Sequence, residues 1–135
     1  MVEDSSSNAD SAKHIVAAVD DDFRVRESIE SLVASTGHTP LVFASADEFL
    51  QSDAPESAIC LITDVRMPGI DGLELQRRVR LKYPRLPVIF ITAHYDNETR
   101  QRALGQGAAG FLQKPFDAAD LLGAIELALT TPPEG

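Results

Sequence analysis

Ala58-Ile59-Cys60-Leu61-Ile62-Thr63-Asp64-Val65-Arg66-Met67-Pro68-Gly69 is an apolar run that ends in an acid and then a turn. A strand solvated on one face alternates apolar and polar residues, whereas a strand covered on both faces does not. Residues 59–63 therefore read as an interior strand of a parallel sheet. Runs of the same character occupy 14–19 and 88–92, and shorter ones fall at 40–43 and 110–113. Apolar residues at helical spacing lie between them: Val25, Ile29, Leu32 and Val33; Phe49 and Leu50; Leu75 and Val79; Leu122, Ile125 and Leu129. Strand and helix alternating through five units predict an α/β fold, a doubly wound parallel sheet with helices on both faces and right-handed crossovers.

Local signals agree with these units. Ser45 and Glu48 have the spacing of a capping box, and Asp71 and Asp117 stand where an acid can accept orphan amide protons of a following helix. Gly37 is placed to end the first helix, and Met67-Pro68-Gly69 to turn the chain after the third strand.

A chain of 135 residues, 44% hydrophobic and 24% charged, fits one domain with a sizeable core. We expect a loose polar tail at 1–12, the domain at 13–130, and a C-terminal tail or linker start at 131–135, where Pro132-Pro133 stops a helix. No apolar run is long enough for a membrane span and no signal peptide is visible, so the expected location is cytoplasmic. The lone Cys60 sits in an apolar run and reads as a small buried side chain. Twelve Lys and Arg against 21 Asp and Glu give a net charge of -9, which opposes direct nucleic-acid binding by this domain.

In an open α/β sheet ligands bind beyond the carboxyl ends of the strands. Asp20, Asp21 and Asp22 follow the first run and Asp64 follows the third; neighbouring strands would bring these acids together. Carboxylates so close raise one another's pKa unless a cation lies among them, and an all-oxygen site with room for water suits Mg²⁺, with Mn²⁺ as a substitute. Thr92 ends the fourth run and Lys114 follows the fifth, adding a hydroxyl and an ammonium at the same rim. Each residue alone has an ordinary reading: Asp22 as a helix cap, Asp64 as a turn acid, Thr92 as a strand-end hydroxyl, Lys114 as a surface cation. Their common position at strand ends of one sheet points instead to a phosphoryl pocket.

Val19-Asp20-Asp21-Asp22, Thr63-Asp64-Val65-Arg66-Met67-Pro68-Gly69, Ile91-Thr92-Ala93 and Lys114-Pro115-Phe116 resemble the signature of two-component response regulator receiver domains, from about 14 to 129. Ser45-Ala46-Asp47-Glu48-Phe49-Leu50 and residues 107–116 are similar to the FixJ-type subfamily. The resemblance implies a flavodoxin-like five-stranded sheet of order 2-1-3-4-5, with Asp64 as phosphoacceptor. It implies Mg²⁺ held by Asp20, Asp21, Asp64 and the backbone carbonyl of Arg66. Thr92 and Lys114 would then bind the phosphoryl group, Thr92 and Phe111 would act as the switch, and Lys114-Pro115 would be a cis peptide. A sensor histidine kinase, a phosphotransfer protein or a small phosphodonor would supply the phosphoryl group. The domain would be no enzyme beyond its own phosphorylation and dephosphorylation. It would signal through the face of the fourth helix, fifth strand and fifth helix, where Leu127 lies opposite the apolar stripe, to an output domain, a partner or a second copy.

Three rival readings lack their marks. A magnesium phosphatase would carry Asp-x-Asp, but Arg66 stands two residues after Asp64; a flavodoxin-like cofactor binder would have a Ser/Thr/Gly-rich loop after the first strand; a pseudo-receiver would have lost an acid or the lysine. Gly105-Gln106-Gly107-Ala108-Ala109-Gly110 spells a dinucleotide loop, but it follows a helix and precedes a strand, the reverse of the needed order. Asn97-Glu98-Thr99 is a glycosylation sequon without a secretion signal to give it meaning.

Overall fold

In the computed structural model, residues 14–131 are described. The tails expected at 1–12 and 131–135 lie outside the described residues, apart from Thr131. The chain runs β1 (Ile15–Val19), α1 (Phe23–Ser35), β2 (Thr39–Phe43), α2 (Ala46–Gln51), α3 (Ala54–Ser57), β3 (Ala58–Asp64), α4 (Gly72–Lys82), β4 (Val88–Thr92), α5 (Asn97–Gly105), β5 (Gly110–Gln113) and α6 (Ala118–Thr130). The strands form one parallel sheet in the order β2-β1-β3-β4-β5, as expected.

Side chains alternate across a strand, so each interior strand feeds two cores. Ala17, Val19, Leu61, Val88 and Phe90 face one side, where Phe49 of α2, Leu75 and Val79 of α4 and Ala103 of α5 cover them. Val16, Ala18, Cys60, Ile62, Ile89 and Ile91 face the other, under Ile29 and Val33 of α1 and Leu121 and Ile125 of α6. Burying one such large side chain contributes roughly 1.5–3 kcal/mol, so the two layers lock the central strands in register. The edge strands β2 and β5 are only partly buried.

The sequence reading departs from the structure in four local places. The second helix is broken: Ser52 Oγ donates to the Phe49 carbonyl at 2.7 Å and accepts from the Ala54 amide at 3.1 Å, and the chain restarts in a single turn with Pro55 near its beginning. On α6 the buried stripe is Leu121, Ile125 and Ala128, one step earlier than the expected Leu122, Ile125 and Leu129. Asp117 precedes α6, but its side chain makes no capping bond. The other caps form as read: Ser45 accepts from the Glu48 amide at 3.1 Å and Asp71 from the Glu74 amide at 2.9 Å. Glu48 returns its carboxylate to the amide of Ala44 rather than of Ser45. Gly37 ends α1 with φ 87°, a left-handed conformation that disfavours any side chain. Leu127 is 60% exposed, opposite the buried stripe.

Two side-chain bonds from α4 fix the end of α5. Gln76, buried, donates from Nε2 to the Ala103 carbonyl at 3.1 Å, and the Arg80 guanidinium donates to the Gln106 carbonyl. No helix among the described residues is long and apolar enough to cross a membrane.

Burial pushes the Cys60 thiol up to about 12, so at pH 8 almost no thiolate exists in the folded protein. Native protein is expected to resist a disulfide-exchange reagent over hours and to react fully, with one thiol per chain, once unfolded in guanidinium. Rapid labelling under native conditions would contradict the packing of β3.

Candidate metal and phosphoryl site

The parallel register sets Val19 beside Thr63. One step further along, Asp20 and Asp64 leave the sheet side by side at its carboxyl rim. Asp20 continues β1 by donating its amide to the Phe43 carbonyl at 3.1 Å, and its Oδ1 accepts from the Asp22 amide at 2.8 Å. Asp22 caps α1, accepting from the Arg24 amide at 2.9 Å, which confirms it as a cap. Asp21, between them, is exposed. Carboxylate oxygens of Asp20, Asp21 and Asp64 lie within 4.8 Å of one another.

Asp64 ends β3. Its carbonyl accepts from Thr63 Oγ1 at 3.0 Å, and Gly72 packs against the same carbonyl so closely that a Cβ there would sit 2.2 Å from it. The Gly72 amide donates to the Val65 carbonyl at 2.8 Å. Only glycine allows α4 to begin this near the strand end.

Lys114 enters from β5. Its amide donates to the Thr92 carbonyl at 2.7 Å, and its Nζ stands 2.9 Å from Asp20 Oδ2 and 3.3 Å from Asp64 Oδ2. The contact to Asp64 is a hydrogen bond and the shorter one to Asp20 an ion pair, in which the ammonium is the partner of that buried oxygen. The Lys114-Pro115 peptide is cis, as expected. Burial raises the Asp64 pKa, and the Asp20 charge raises it further, against the lowering pull of Lys114 and of the Arg66 amide. Burial by itself would lower Lys114, but the two carboxylates outweigh it and hold the ammonium above its ordinary value.

Two unit charges at about 4 Å interact by roughly 4 kcal/mol at an effective dielectric of about 20, so three converging carboxylates with one ammonium are under strong mutual repulsion. Buried carboxylate oxygens balanced by a single ammonium, in an exclusively oxygen donor set, fit a hard divalent cation such as Mg²⁺ or Mn²⁺.

Thr92 is buried at the same rim, but its hydroxyl is engaged within its own loop, donating to the His94 carbonyl at 3.2 Å and accepting from the His94 amide at 3.1 Å. Phe111 is half-buried, its ring 6.0 Å from that of Phe90 and edge-on to Tyr95 at 6.4 Å. Arg66 lies exposed in the turn after β3. A groove of about 330 Å³, lined by Arg77, Arg80, Leu81 and Gln106, lies away from the acids, which sit on an open rim. Sequence reasoning missed Gly72 and Arg26, whose Nη1 donates to the Asp20 carbonyl at 2.7 Å. Neither carries a local signal, since each acts on backbone brought near only by the fold.

The response regulator receiver domain family model matches residues 16–126. The chain belongs to the response regulator receiver domain family. The receiver is 42% identical over 118 residues to nodulation protein W of Bradyrhizobium diazoefficiens, covering 87% of this chain and 52% of that protein. It is 41% identical to the transcriptional regulatory protein FixJ of Azorhizobium caulinodans, over 84% of this chain and 54% of that protein. The solved structure of FixJ-N superposes with a TM-score of 0.75 at 33% identity, covering 90% of this chain and 98% of that one. These relatives make it a FixJ-type receiver, and the chain spans about half the length of the first curated relatives it matches.

Because the folded-state pKa of Asp64 is raised, its ionised form opposes folding above that pKa, and the penalty vanishes below the ordinary carboxylate range, where both states are protonated. In chelator at neutral pH, Asp64→Asn is therefore expected to melt higher than wild type. The gap should shrink as pH falls towards about 4, and also as Mg²⁺ is added if the three acids hold the ion, because a cation would then stabilise the wild type more than the variant. Lower melting of the variant in chelator would reverse the sign of this account.

Proposed function

We propose that this receiver accepts a phosphoryl group on Asp64 from a sensor histidine kinase, a phosphotransfer protein or a small phosphodonor, and thereby controls a partner or an attached output domain. The observation that carries this reading is the convergence of Asp20, Asp21, Asp64 and Lys114 at the ends of β1, β3 and β5. Asp20, Asp21, Asp64 and the Arg66 carbonyl would hold Mg²⁺, or Mn²⁺ in its place. When bound, the cation supplies charge neutralisation on the phosphoryl oxygens.

In transfer from a phosphohistidine, a carboxylate oxygen of Asp64 attacks phosphorus in line. The P–O bond forms as the P–N bond breaks, and the departing imidazole takes up a proton. Lys114 pairs with one phosphoryl oxygen and the Thr92 hydroxyl, released from His94, donates to another. Hydrolysis undoes the transfer: water attacks phosphorus as the P–O bond to Asp64 breaks, the protons of water stay with the released phosphate and the Asp64 carboxylate is restored. The domain is thus a signalling switch that catalyses only its own modification.

The signal is assigned to the face of α5, β5 and α6, which are the fourth helix, fifth strand and fifth helix of the five-unit sequence reading. Phosphorylation adds roughly -1.5 to -2 charge, which draws Thr92 and Lys114 inward. Phe111 then follows into the space left by Thr92, and two discrete packings result. Exposed Leu127 gives this face an apolar point for a phosphorylation-dependent homodimer. The domain boundaries 13–130, a cytoplasmic setting and the absence of membrane or direct nucleic-acid binding belong to the same proposal.

Incubation with acetyl phosphate and Mg²⁺ is expected to add the mass of one phosphoryl group to wild type and none to Asp64→Ala, with chelator abolishing the gain. Modification that persists in Asp64→Ala would remove the assignment. In light scattering, beryllofluoride with Mg²⁺ is expected to shift wild type towards a dimer and Leu127→Asp not at all. A monomer mass in every sample would rule the dimer out.

A further inference from the structure

Asp20 is fully buried, so each of its polar atoms must find a partner inside the protein. Its amide continues the sheet to Phe43, its Oδ1 takes the Asp22 amide, and its Oδ2 faces Lys114. The carbonyl lies past the last ladder pair of β1, where the sheet offers it no amide. Arg26 fills that need from the first turn of α1: Nη1 donates to the Asp20 carbonyl at 2.7 Å, and the guanidinium lies over the Phe23 ring at 5.7 Å. The Arg26 amide meanwhile donates to the Asp22 carbonyl at 3.1 Å. The same residue thus holds both ends of the loop carrying Asp20 and Asp21.

What Arg26 does not do is equally informative. It stands beside an acidic cluster, yet among the described residues it makes no salt bridge with a carboxylate. A guanidinium forked onto Asp20 or Asp21 would occupy the oxygens that a cation needs and would hold them in a bidentate geometry. Directed at a carbonyl, it fixes the backbone and leaves the carboxylates open.

We propose that Arg26 is a positioning residue for the metal site: its bond to the Asp20 carbonyl fixes the peptide joining Asp20 to Asp21, so that both carboxylates are set for a divalent cation before it arrives. The inference rests on the reading of Asp20, Asp21 and Asp64 as the cation site. Preorganisation of this kind acts on affinity, because a loop already ordered loses less freedom when the ion binds. A purely structural role, satisfying one buried carbonyl, would lower stability and leave cation affinity untouched.

Arg26→Met separates the two, since it keeps the apolar stem and removes the donors. In metal-free protein, amide exchange by NMR is expected to quicken several-fold at Asp21 and Asp22 while Leu61 and Ile89 in the sheet stay protected. A Mg²⁺ titration followed by amide shifts should show half-saturation rising about five- to tenfold, the range for loss of one directed hydrogen bond. Arg26→Lys, which keeps the charge and one compact donor group, should fall between the variant and wild type. Acetyl phosphate labelling at saturating Mg²⁺ should recover to within about twofold of wild type, since affinity rather than chemistry is affected. Wild-type or tighter Mg²⁺ binding in Arg26→Met, whatever its melting temperature, overturns the proposal. Asp21→Ala serves as the control: if it binds Mg²⁺ like wild type, the cation site itself is misassigned, a failure distinct from that of Arg26.

Discussion

Mutual repulsion among Asp20, Asp21 and Asp64 is the constraint around which this domain is built. Carboxylate oxygens within 4.8 Å, two of the residues buried, are an arrangement that an isolated chain would avoid. Holding them together requires a scaffold stiffer than the force that separates them. Interior strands β1 and β3 provide it, because side chains on both of their faces are locked into separate cores. Under the proposed function, a cation bound among the acids would offset this repulsion and stabilise the folded state by linkage.

The same rim links charge to shape. Lys114 touches Asp20 and Asp64 through its ammonium and Thr92 through its backbone amide, so β3, β4 and β5 meet at one residue. Thr92 keeps its hydroxyl on the loop leading to Tyr95, whose ring meets Phe111. Under the proposed function, a change in the demand for donors at Asp64 reaches the α5 side through these contacts. Helix α5 is tethered asymmetrically: the bonds from Gln76 and Arg80 fall on the carbonyls of Ala103 and Gln106 at its C-terminal end, while its N-terminal end follows the Thr92 loop. A helix held at one end pivots there, so a displacement near Thr92 would be greatest at the N-terminal end of α5 and would tilt its exposed face.

Much of this was legible in the chain because the relevant signals are local. Continuous apolar runs identify strands buried on both faces, and once the strands are placed, the end of a run is forced to the ligand-binding rim; Thr92 closes its run, and Asp20, Asp64 and Lys114 directly follow theirs. The resemblance to receiver domains supplied what the rule cannot, the order of the sheet and the cis peptide. Features that depend on distant backbone stayed hidden. Gly72 is needed because α4 starts against the Asp64 carbonyl, and Gln76 is buried because it meets α5. The break after Gln51 arises from the Ser52 hydroxyl competing for backbone groups, a choice that composition does not disclose. On α6 the stripe was misplaced by one residue because Leu121 and Leu122 are equally apolar and only the packing against β3 and β4 decides between them.

The two cations of the site illustrate how residue chemistry is matched to task. Lys114 bears on the carboxylates as a compact point charge, 2.9 Å from Asp20 and 3.3 Å from Asp64. Under the proposed function such a contact would be exchanged for a phosphoryl oxygen without breaking a fixed geometry, as an ammonium on a flexible stem allows. Arg26 is planar, directional and permanently charged, qualities suited to a bond that should never exchange, and it is applied to a carbonyl that no ligand will claim. Interchanging them would serve worse on both counts: an arginine forked on Asp20 and Asp64 would compete with a cation, and a lysine on the Asp20 carbonyl would hold the acidic loop less firmly. Under the proposed function the site would bind, release and bind again, which needs one cation that yields and one that does not.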